Sequence, residues 1–435
     1  MADFQQNALM LASRQNSPEW LAGLRAQAAI DWHSLIWPTR KTEHWKYTSL
    51  ASLQKTTFGH IKDAQQVLRA DWQTGLEFIP IDATRLVFVD GIFNPQASSK
   101  LPAEVVHFSQ ATGAQQAIIT QYLGKVVEGA QHIFATLNNA WLSDGILVHV
   151  PRNQALAKPV YIVQVSTRSA QPISVNQRLL VVLEDSAQVE IIEHFVSTAD
   201  QQHNFINALT EVVVGDNARL QHYRLNMEEE NIQHIGAVHM NLLRNARVRG
   251  FTLALGSKLK RIDYQINHRG QGAELDLQGI YLPRSQQMVD YHSNVQHWVP
   301  HCTTSEVFRG IIADSAQAVF NGRIYIHPNA QKTLAELSNK NLLTSNKAEI
   351  NTKPELEIYA DDVKCAHGAT VSQLNETALY YLQSRGVSRT EAEVMMSFGF
   401  INELLQQIQE VAVHNYLLPR LAALFGRDQT LLDIE

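Results

Sequence analysis

Asp185-Ser186-Ala187-Gln188-Val189 is the first of six short stretches that share one pattern: a polar residue, a small or polar residue, Ala, a polar residue and an apolar residue. The other five are Asp216–Leu220, Arg244–Val248, Gln271–Leu275, Asp314–Ala318 and Asn346–Ile350. Their central alanines follow one another at intervals of 31, 28, 27, 43 and 32 residues. A turn signal that feeds a strand about every thirty residues is typical of a solenoid, whose coils bury their apolar faces by stacking. We expect the alanine at a tight corner, and an extra coil or a loop within Tyr281–Ser305.

Residues 81–371, which contain this repeat, read as β structure. Short apolar or alternating runs recur with Gly, Asn, Asp and Pro between them. These runs are Leu86–Val89, Ile146–Val150, Val160–Val165, Leu179–Leu183, Val189–Ile192, Val212–Val214 and Phe251–Leu255. A helical pattern is evident at Ala114–Val127. A β-sandwich is the competing architecture, but adjacent runs are not joined by a series of Asn-Gly or Asp-Gly hairpins. We therefore predict a mainly β chain built as a parallel β-helix.

Residues 1–80 and 372–435 are predicted to form helical domains at the two ends. Ser17-Pro18-Glu19 is a good helix start, and Trp32, Trp37 and Trp45 are expected to dock the first segment onto a larger body. In the last segment Asn375 precedes a helix, Ser388 and Glu391 form a capping box, and Pro419 is expected to open a short final helix. An apolar stripe follows the capping box, and it is either core for this domain or a docking face for another protein. The stripe comprises Val394, Met395, Phe398, Phe400, Ile401, Leu404, Leu405 and Ile408.

The composition limits which binding partners and which cellular compartment are expected. The 435 residues carry a net charge of −6, so no concentrated basic face for nucleic acid or anionic membrane is expected. No apolar run reaches the roughly 20 residues of a membrane span, and the first residues do not resemble a secretory signal. The only two cysteines are Cys302 and Cys365. A reduced cytoplasmic setting is the simplest interpretation.

Several catalytic motifs do not occur in the sequence. Gly124-Lys125 is followed by Val126, so no phosphate-binding loop is formed there and no ATP site is expected in this chain. No dinucleotide turn follows a strand, and no C-x-x-C or G-x-S-x-G motif occurs. Two cysteines cannot supply the four thiolates of a [4Fe–4S] cluster, so a cluster would need other ligands as well. We do not expect an enzyme.

Cys365-Ala366-His367 is the sharpest local feature. Residues two apart on a strand point to one face, so the thiol and the imidazole would converge, and soft metals accept that pair. Lys364 is expected to lower the pKa of the thiol. The alternative is a buried thiol beside a hydrogen-bonded histidine with no metal.

Other polar residues are given ordinary roles. Cys302 follows His301 directly, so their side chains would diverge, and Cys302 is interpreted as structural. Histidines such as His149, His194, His222, His234 and His239 are spread over many strands and are interpreted as surface or core residues. The run Glu228-Glu229-Glu230 is interpreted as a solvated loop.

Phe308–Thr370 resembles the SufB/SufD family of iron–sulfur cluster assembly proteins. The resemblance lies in NGRIYIHPNAQKT (Asn321–Thr333), NKNLL (Asn339–Leu343), KPELEIYADDVKC (Lys353–Cys365) and HGAT (His367–Thr370). PTRKTEHWKYT (Pro38–Thr48) resembles the amino-terminal motif of the same family. Chains of the SufB type carry Glu after the matching histidine, whereas this chain has Gly368, which favours the SufD branch. The departure removes a carboxylate that is tied to cluster assembly.

The resemblance implies a right-handed parallel β-helix with helical domains at both ends. It implies a non-catalytic scaffold subunit in a complex with a SufB-like subunit and a SufC-like ATPase. The SufB-like subunit would contact about Ile324–Thr370, where Cys365 and His367 would help to bind a nascent iron–sulfur cluster. The ATPase would dock on Ser388–Ile408, with Val394, Met395, Phe398, Phe400, Ile401 and Leu405 in contact.

Three further points stay open. The isolated chain is expected to form a homodimer, because the end strands of a β-helix are unpaired edges. Flavin binding is left open. The rival functions are a carbohydrate-active β-helix, for which no convincing cluster of acids and exposed aromatics is found, and a stand-alone metal-binding protein that uses the histidines.

Overall fold

A computed structural model describes residues 4–13, 17–59, 72–126, 133–169, 171–198, 203–228 and 231–425. Strands dominate these residues. The first nine are β1 (Thr84–Val89), β2 (Ile92–Phe93), β3 (Val105–His107), β4 (Ile146–Val150), β5 (Val160–Ser166), β6 (Ser174–Leu183), β7 (Gln188–Ser197), β8 (Phe205–Val214) and β9 (Arg219–Asn226). The next five are β10 (Gln233–Leu242), β11 (Arg247–Leu255), β12 (Leu259–His268), β13 (Glu274–Leu282) and β14 (Met288–His297). The last five are β15 (Thr303–Ile312), β16 (Gln317–Ile326), β17 (Leu334–Leu343), β18 (Glu349–Ile358) and β19 (Lys364–Gln373).

These strands alternate between two sheets. One sheet has the order β19-β17-β15-β13-β11-β9-β7-β5-β1-β2, and the other has the order β18-β16-β14-β12-β10-β8-β6-β4-β3. From β4 to β17 each strand pairs in parallel with the strand two places further along the chain, and β1 pairs in parallel with β5. Among the described strands, only the pairs β1–β2 and β3–β4 are antiparallel. This is a parallel β-solenoid, so the predicted mainly β fold is confirmed and the sandwich is excluded.

The corners explain the repeat. Ser186, Asn217, Asn245 and Gly272 adopt left-handed φ values of 60°, 58°, 54° and 75°, and the alanine after each is fully buried. A short polar residue or Gly tolerates that backbone conformation, and the small alanine fits inside the corner. His301 and Lys332 continue the series with φ values of 63° and 60°. Cys302 therefore occupies the place that Ala273 occupies one coil earlier.

The sequence suggests that the six stretches form a single series, but the structure divides them into two. Those around Ala187, Ala218, Ala246 and Ala273 precede strands of the β19-to-β2 sheet, whereas Ala316 and Ala348 precede β16 and β18 of the other sheet. The same turn chemistry serves two different corners. The 43-residue interval contains three strands, β13, β14 and β15, whereas each of the other intervals contains two. It therefore holds one extra strand, which is half a coil, and not the extra coil or loop that the sequence predicts.

Alternate residues along each strand point into the solenoid and form a continuous apolar interior. Its members include Val189 and Ile191 of β7, Tyr291 of β14 and Phe308 of β15. The residues between them face outwards, where helices cover both sheets.

Helices at the N-terminal end cover the sheet of even-numbered strands. They are α1 (Phe4–Ser13), α2 (Ala22–Ser34), α3 (Ala51–Lys55), α4 (Gly113–Tyr122) and α5 (Ile133–Ala140). Trp32 and Trp45 are buried in one aromatic cluster with Phe134 and Phe205, which confirms that the tryptophans dock this segment. Ser17 does not cap a helix. Its hydroxyl accepts a hydrogen bond from Arg25, and a 3-10 turn at Glu19–Leu21 precedes α2.

The C-terminal helices are α6 (Glu376–Ser384), α7 (Arg389–Leu405) and α8 (Val411–Leu424). Asn375 caps α6, and the Ser388–Glu391 capping box is present at the start of α7. The prediction that Pro419 opens the final helix is wrong, because α8 begins at Val411, where the Glu410 side chain caps it, and Pro419 lies inside. A buried face that includes Val413, Leu417 and Leu421 stabilises this helix across the proline.

The strand bounds lie near the predicted limits of the β region, 81–371. The first strand begins at Thr84, the last ends at Gln373, and α6 begins at Glu376. Within these limits α4 and α5 join the N-terminal helices, and α4 coincides with most of the helix expected at Ala114–Val127, whose last residue is outside the described residues. The division into three domains stays a prediction.

Candidate functional site

The solenoid ends at β18 and β19, each of which pairs on one side only. β18 pairs with β16, and β19 pairs with β17, and no described strand continues either sheet. Most side chains of these two strands are at least partly exposed. Ile358, Tyr359 and Val371 are exposed apolar residues at this end. We call β18 and β19, with the loop between them, the open end.

Cys365 and His367 lie on β19 at the open end. Their Cα partners on β17 are Ala335 and Leu337, which are buried in the interior of the solenoid. Because paired residues of parallel strands share a face, both side chains point to the interior face of the last coil. Cys365 is half-buried and His367 is exposed. The two residues therefore share a face, as the spacing predicts.

The environment of Cys365 differs from the expectation in one respect. Lys364 was expected to lower the pKa of the thiol, but burial raises that pKa above its ordinary value. The thiol is therefore protonated in the free chain at neutral pH. Among the described residues, no third histidine, cysteine or carboxylate completes a metal-binding group with Cys365 and His367.

A second group of histidine and cysteine residues is buried inside the solenoid. His268 ends β12, His297 ends β14, and Cys302 lies at the corner before β15. One donor atom from each lies within 4.8 Å of the others, and all three residues are fully buried. Cα register pairs His268 with His297, and their rings stack at a centroid distance of 4.3 Å. We call these three residues the interior triad.

Thr304 fixes the two rings of the interior triad. Its Oγ1 lies 2.9 Å from Nε2 of His268 and 3.0 Å from Nε2 of His297. Burial lowers the pKa of both imidazoles, that of His297 to about 3, so both rings are neutral. Burial also raises the pKa of the Cys302 thiol, which donates to the carbonyl oxygen of Gly270 at 3.4 Å.

Comparison with known proteins gives the family. Residues 2–162 match the SufBD protein N-terminal region, and residues 165–400 match the SufBD core domain described as SUF system FeS cluster assembly. The chain belongs to the SufBD family. An iron–sulfur cluster assembly SufBD family protein of Synechocystis is 32% identical over 421 residues, which cover 94% of this chain and 89% of the relative.

Two relatives carry the name SufD. The iron–sulfur cluster assembly protein SufD of Escherichia coli is 30% identical over 390 residues, 88% of each chain. That of Bacillus subtilis is 24% identical over 432 residues, 95% of this chain and 96% of the relative. The resemblance to the family is confirmed, and a role in iron–sulfur cluster assembly follows from membership. Within the described residues of this SufBD protein, no helix has the length and apolar character needed to cross a membrane.

The stripe on α7 is largely core in this SufBD protein. Phe398, Ile401 and Leu405 pack against outward-facing residues of the solenoid such as Tyr223 and Leu253. Val394 is buried as well, whereas Met395 and Phe400 are partly exposed. The structure buries Val394, Phe398, Ile401 and Leu405 within this chain. Docking of an ATPase on this stripe stays a prediction.

Two buried ionic groups lie inside the solenoid, and sequence reasoning missed both. Glu193 accepts from His222 at 2.9 Å, from Thr210 at 2.8 Å and from Arg224 at 2.9 and 3.0 Å. Burial raises the pKa of Glu193, but the Arg224 charge and the His222 and Thr210 hydrogen bonds lower it to about 2.

Glu228 forms the second group with His234 and Lys260, all fully buried. Lys260 Nζ lies 3.3 Å from the Glu228 carboxylate and 2.7 Å from the Glu228 carbonyl oxygen. The interpretation of this acidic run as a solvated loop is therefore wrong for Glu228, while Glu229 and Glu230 lie outside the described residues. The partner that makes burial possible is 32 residues away, so the local sequence does not reveal it.

The interior triad was also missed, although the sequence carries a signal for it. His268 and His297 are 29 residues apart, and Cys302 follows Ala273 by the same interval. That interval is one coil of the repeat. Residues one period apart stack in a solenoid, so a search for metal-binding residue types at the repeat interval would have found this group.

Proposed function

We propose that this chain is a non-catalytic scaffold subunit of a SufBCD-type complex in the cytoplasm. The open end would pair with a SufB-like subunit, and the C-terminal helices would dock a SufC-like ATPase. The observation that carries the proposal is the open end itself: two edge strands that each have one free edge, exposed apolar side chains, and an incomplete pair of metal-binding residues at one place.

The direction of the backbone groups supports pairing through β19. Lys364 donates its N–H to the carbonyl oxygen of Thr333 at 2.9 Å. Because N–H groups alternate in direction along a parallel strand, the N–H groups of Cys365, His367 and Ala369 point to the free edge. A strand of a partner could bind there by β-addition. Without a partner, two copies of the chain could pair in the same way, as expected for the isolated protein.

The neighbouring edge strand β18 is less suited to such pairing. Glu349 and Tyr359 donate their N–H groups to carbonyl oxygens at the two ends of β16. The N–H groups of the even-numbered residues between them therefore point to the free edge. Pro354 is one of these residues and has no N–H to donate. The two edges therefore differ, and β19 is the edge that can accept a full ladder.

Cys365 and His367 would contribute two ligands to a nascent cluster, and the SufB-like subunit would supply the rest. Thiolate and imidazole are ligands that iron accepts, but two ligands do not complete a site. A partner that covers the open end would bring further ligands, and iron binding would displace the thiol proton. The cluster is cargo of the complex in this proposal.

The ATPase would contact the exposed face of α6 and the exposed parts of α7. Tyr380 and Tyr381 are 74% and 57% exposed, which is unusual for large aromatic residues. The buried side of α7 packs on the outer face of the solenoid, and Arg309 of β15 lies 3.3 Å from Glu403 of α7. Movement of a docked ATPase would therefore reach the strands next to the open end.

The test of pairing uses co-expression with SufB-like and SufC-like proteins from the same genome. Ala369→Pro removes one outward N–H and no bond to β17, so it should abolish capture of the SufB-like subunit. Ala369→Val keeps the N–H and is the matched control, which should retain the complex. Light scattering gives the mass of each assembly. A complex of unchanged mass and yield with Ala369→Pro would overturn pairing through β19.

The ATPase contact has its own test. Tyr380→Asp combined with Tyr381→Asp should remove the SufC-like subunit from the purified complex and leave the SufB-like subunit bound. Val411→Asp, at an apolar residue of α8 that is 65% exposed, is the control and should change neither. Retention of the ATPase by the double variant would place its contact elsewhere on the chain.

A further inference from the structure

The interior triad has the composition of a metal site. One thiol sulfur and two imidazole nitrogens suit zinc, cobalt(II), iron(II) or copper(I), and they do not suit magnesium or calcium, which require oxygen ligands. One ring nitrogen of each histidine and the Cys302 sulfur lie within 4.8 Å of one another. Tetrahedral zinc places such atoms roughly 3.3–3.8 Å apart, so closure needs shifts of about 1 Å.

An unmet hydrogen bond points to a ligand at this place. Nδ1 of His297 is buried, and no described residue makes a hydrogen bond to it. A buried polar atom without a partner is destabilising, so this nitrogen beside His268 and Cys302 needs a reason. A metal ion would satisfy it.

Thr304 prepares the rings for that role. Its oxygen lies within hydrogen-bonding distance of both Nε2 atoms, and a hydroxyl oxygen can accept from two donors. When both Nε2 atoms carry hydrogen and donate to Thr304, both Nδ1 atoms present lone pairs. A second group that orients a ligating histidine in this way is a regular feature of metal sites.

We propose that His268, His297 and Cys302 bind one thiophilic transition-metal ion inside the β-helix. Binding converts the Cys302 thiol to a thiolate: the S–H bond breaks, a sulfur–metal bond forms, and the proton passes to solvent. The metal ties β12 and β14 to the corner before β15, and it is separate from the proposed cluster position at the open end. The proposal does not depend on the proposed function.

The test uses the full chain, produced with zinc or with cobalt(II) present during folding, because the triad is buried. Elemental analysis of the purified protein gives the metal content, and cobalt bound to a thiolate gives a charge-transfer absorption band. Because the chain has only two cysteines, substituting each in turn shows which one binds the metal. Cys365→Ala should retain both the metal and the band, whereas Cys302→Ala should lose the band and roughly tenfold or more of the metal.

Cys302→Ala is a variant that the fold should accept. Ala187, Ala218, Ala246 and Ala273 occupy the same corner in four other coils, and all are fully buried. An unchanged circular dichroism spectrum and an unchanged elution volume in size-exclusion chromatography would show that the variant folds. Absence of metal and band from wild-type chain folded in cobalt would overturn the proposal. So would loss of the band in Cys365→Ala with retention in Cys302→Ala, which would place the metal at the open end.

Discussion

Cys365 and His367 at the open end, and the interior triad of His268, His297 and Cys302, offer the same donor types in opposite settings. The pair at the open end lies on an edge strand, and no described residue completes it. The interior triad lies between stacked coils and is fixed by Thr304. The first would have to gain further ligands from another molecule, whereas the second brings three donors together within one chain. In the two roles proposed above, position in the solenoid decides whether a cysteine–histidine group serves assembly or architecture.

The same contrast applies to charge. Inside the solenoid, Glu193 and Glu228 are paired with buried cations, and each ion depends on its partner. At the open end, Lys353 contacts Glu43 and Glu355, and these residues remain partly exposed to water. Because water screens the exposed pairs, their loss should cost little, while loss of an interior partner leaves an unpaired buried ion.

Lys260→Met should therefore have the largest effect on stability. Glu228 would lose the charge of Lys260, and the expected loss in the free energy of unfolding is about 3–5 kcal/mol. Lys353→Met is the matched control, with an expected change of less than about 1 kcal/mol. Urea denaturation of both variants measures the difference. If the two variants lost equal free energy of unfolding, the expected difference between ion pairs in the interior and at the open end would be wrong.

A double variant sharpens this test. Lys260→Met combined with Glu228→Gln removes both charges, so part of the lost stability should return, because no unpaired ion is left inside the solenoid. If the double variant is less stable than Lys260→Met alone, packing rather than charge dominates at this position.

Glu306 provides a smaller effect with a defined pH dependence. It is fully buried on β15, and its partners in register, Leu277 and Leu337, are apolar. Burial raises its pKa from 4.5 to about 7. A folded-state pKa above the unfolded value stabilises the fold below pH 4.5, and this contribution is lost as pH rises through 7. Glu306→Gln cannot ionise and should not show this loss.

The expected result is that Glu306→Gln gains stability relative to wild type between about pH 5 and about pH 8, by up to about 3 kcal/mol. The exposed residue Glu336 on β17 supplies the matched control, Glu336→Gln. Denaturation curves at several pH values give the comparison. A constant difference between Glu306→Gln and wild type across this range would show that Glu306 does not titrate as described.

Much of this architecture could be predicted because its signals are local. The corners need a residue that accepts a left-handed backbone and a small residue after it, and both appear within five residues, as at Asn217 and Ala218. Cys365 and His367 share a face because side chains alternate along any strand. Neither inference requires knowledge of what lies across the solenoid.

The errors concern relations between distant residues. A turn signal does not state which corner it forms, so the stretches at Ala316 and Ala348 were joined to the wrong series. An apolar stripe such as Phe398, Ile401 and Leu405 looks the same whether it covers its own solenoid or a partner. Glu228 reads as a surface acid until Lys260, one coil later, is placed beside it. The residues of the interior triad are related by the spacing of one coil. The sequence therefore contains a signal for them, but it can be recognised only when successive coils are aligned in the correct register.

His367→Ala should have the smallest effect on stability and a large effect on function. The side chain is exposed on an edge strand, so the expected change in the free energy of unfolding is below about 0.5 kcal/mol. If His367 is a cluster ligand of the assembled complex, iron and acid-labile sulfide in that complex should nevertheless fall. Lys364→Ala, at an exposed neighbour that faces outwards on the same strand, is the control and should leave both unchanged. Unchanged iron and sulfide in His367→Ala would exclude this imidazole as a ligand, and the open end would then serve pairing alone.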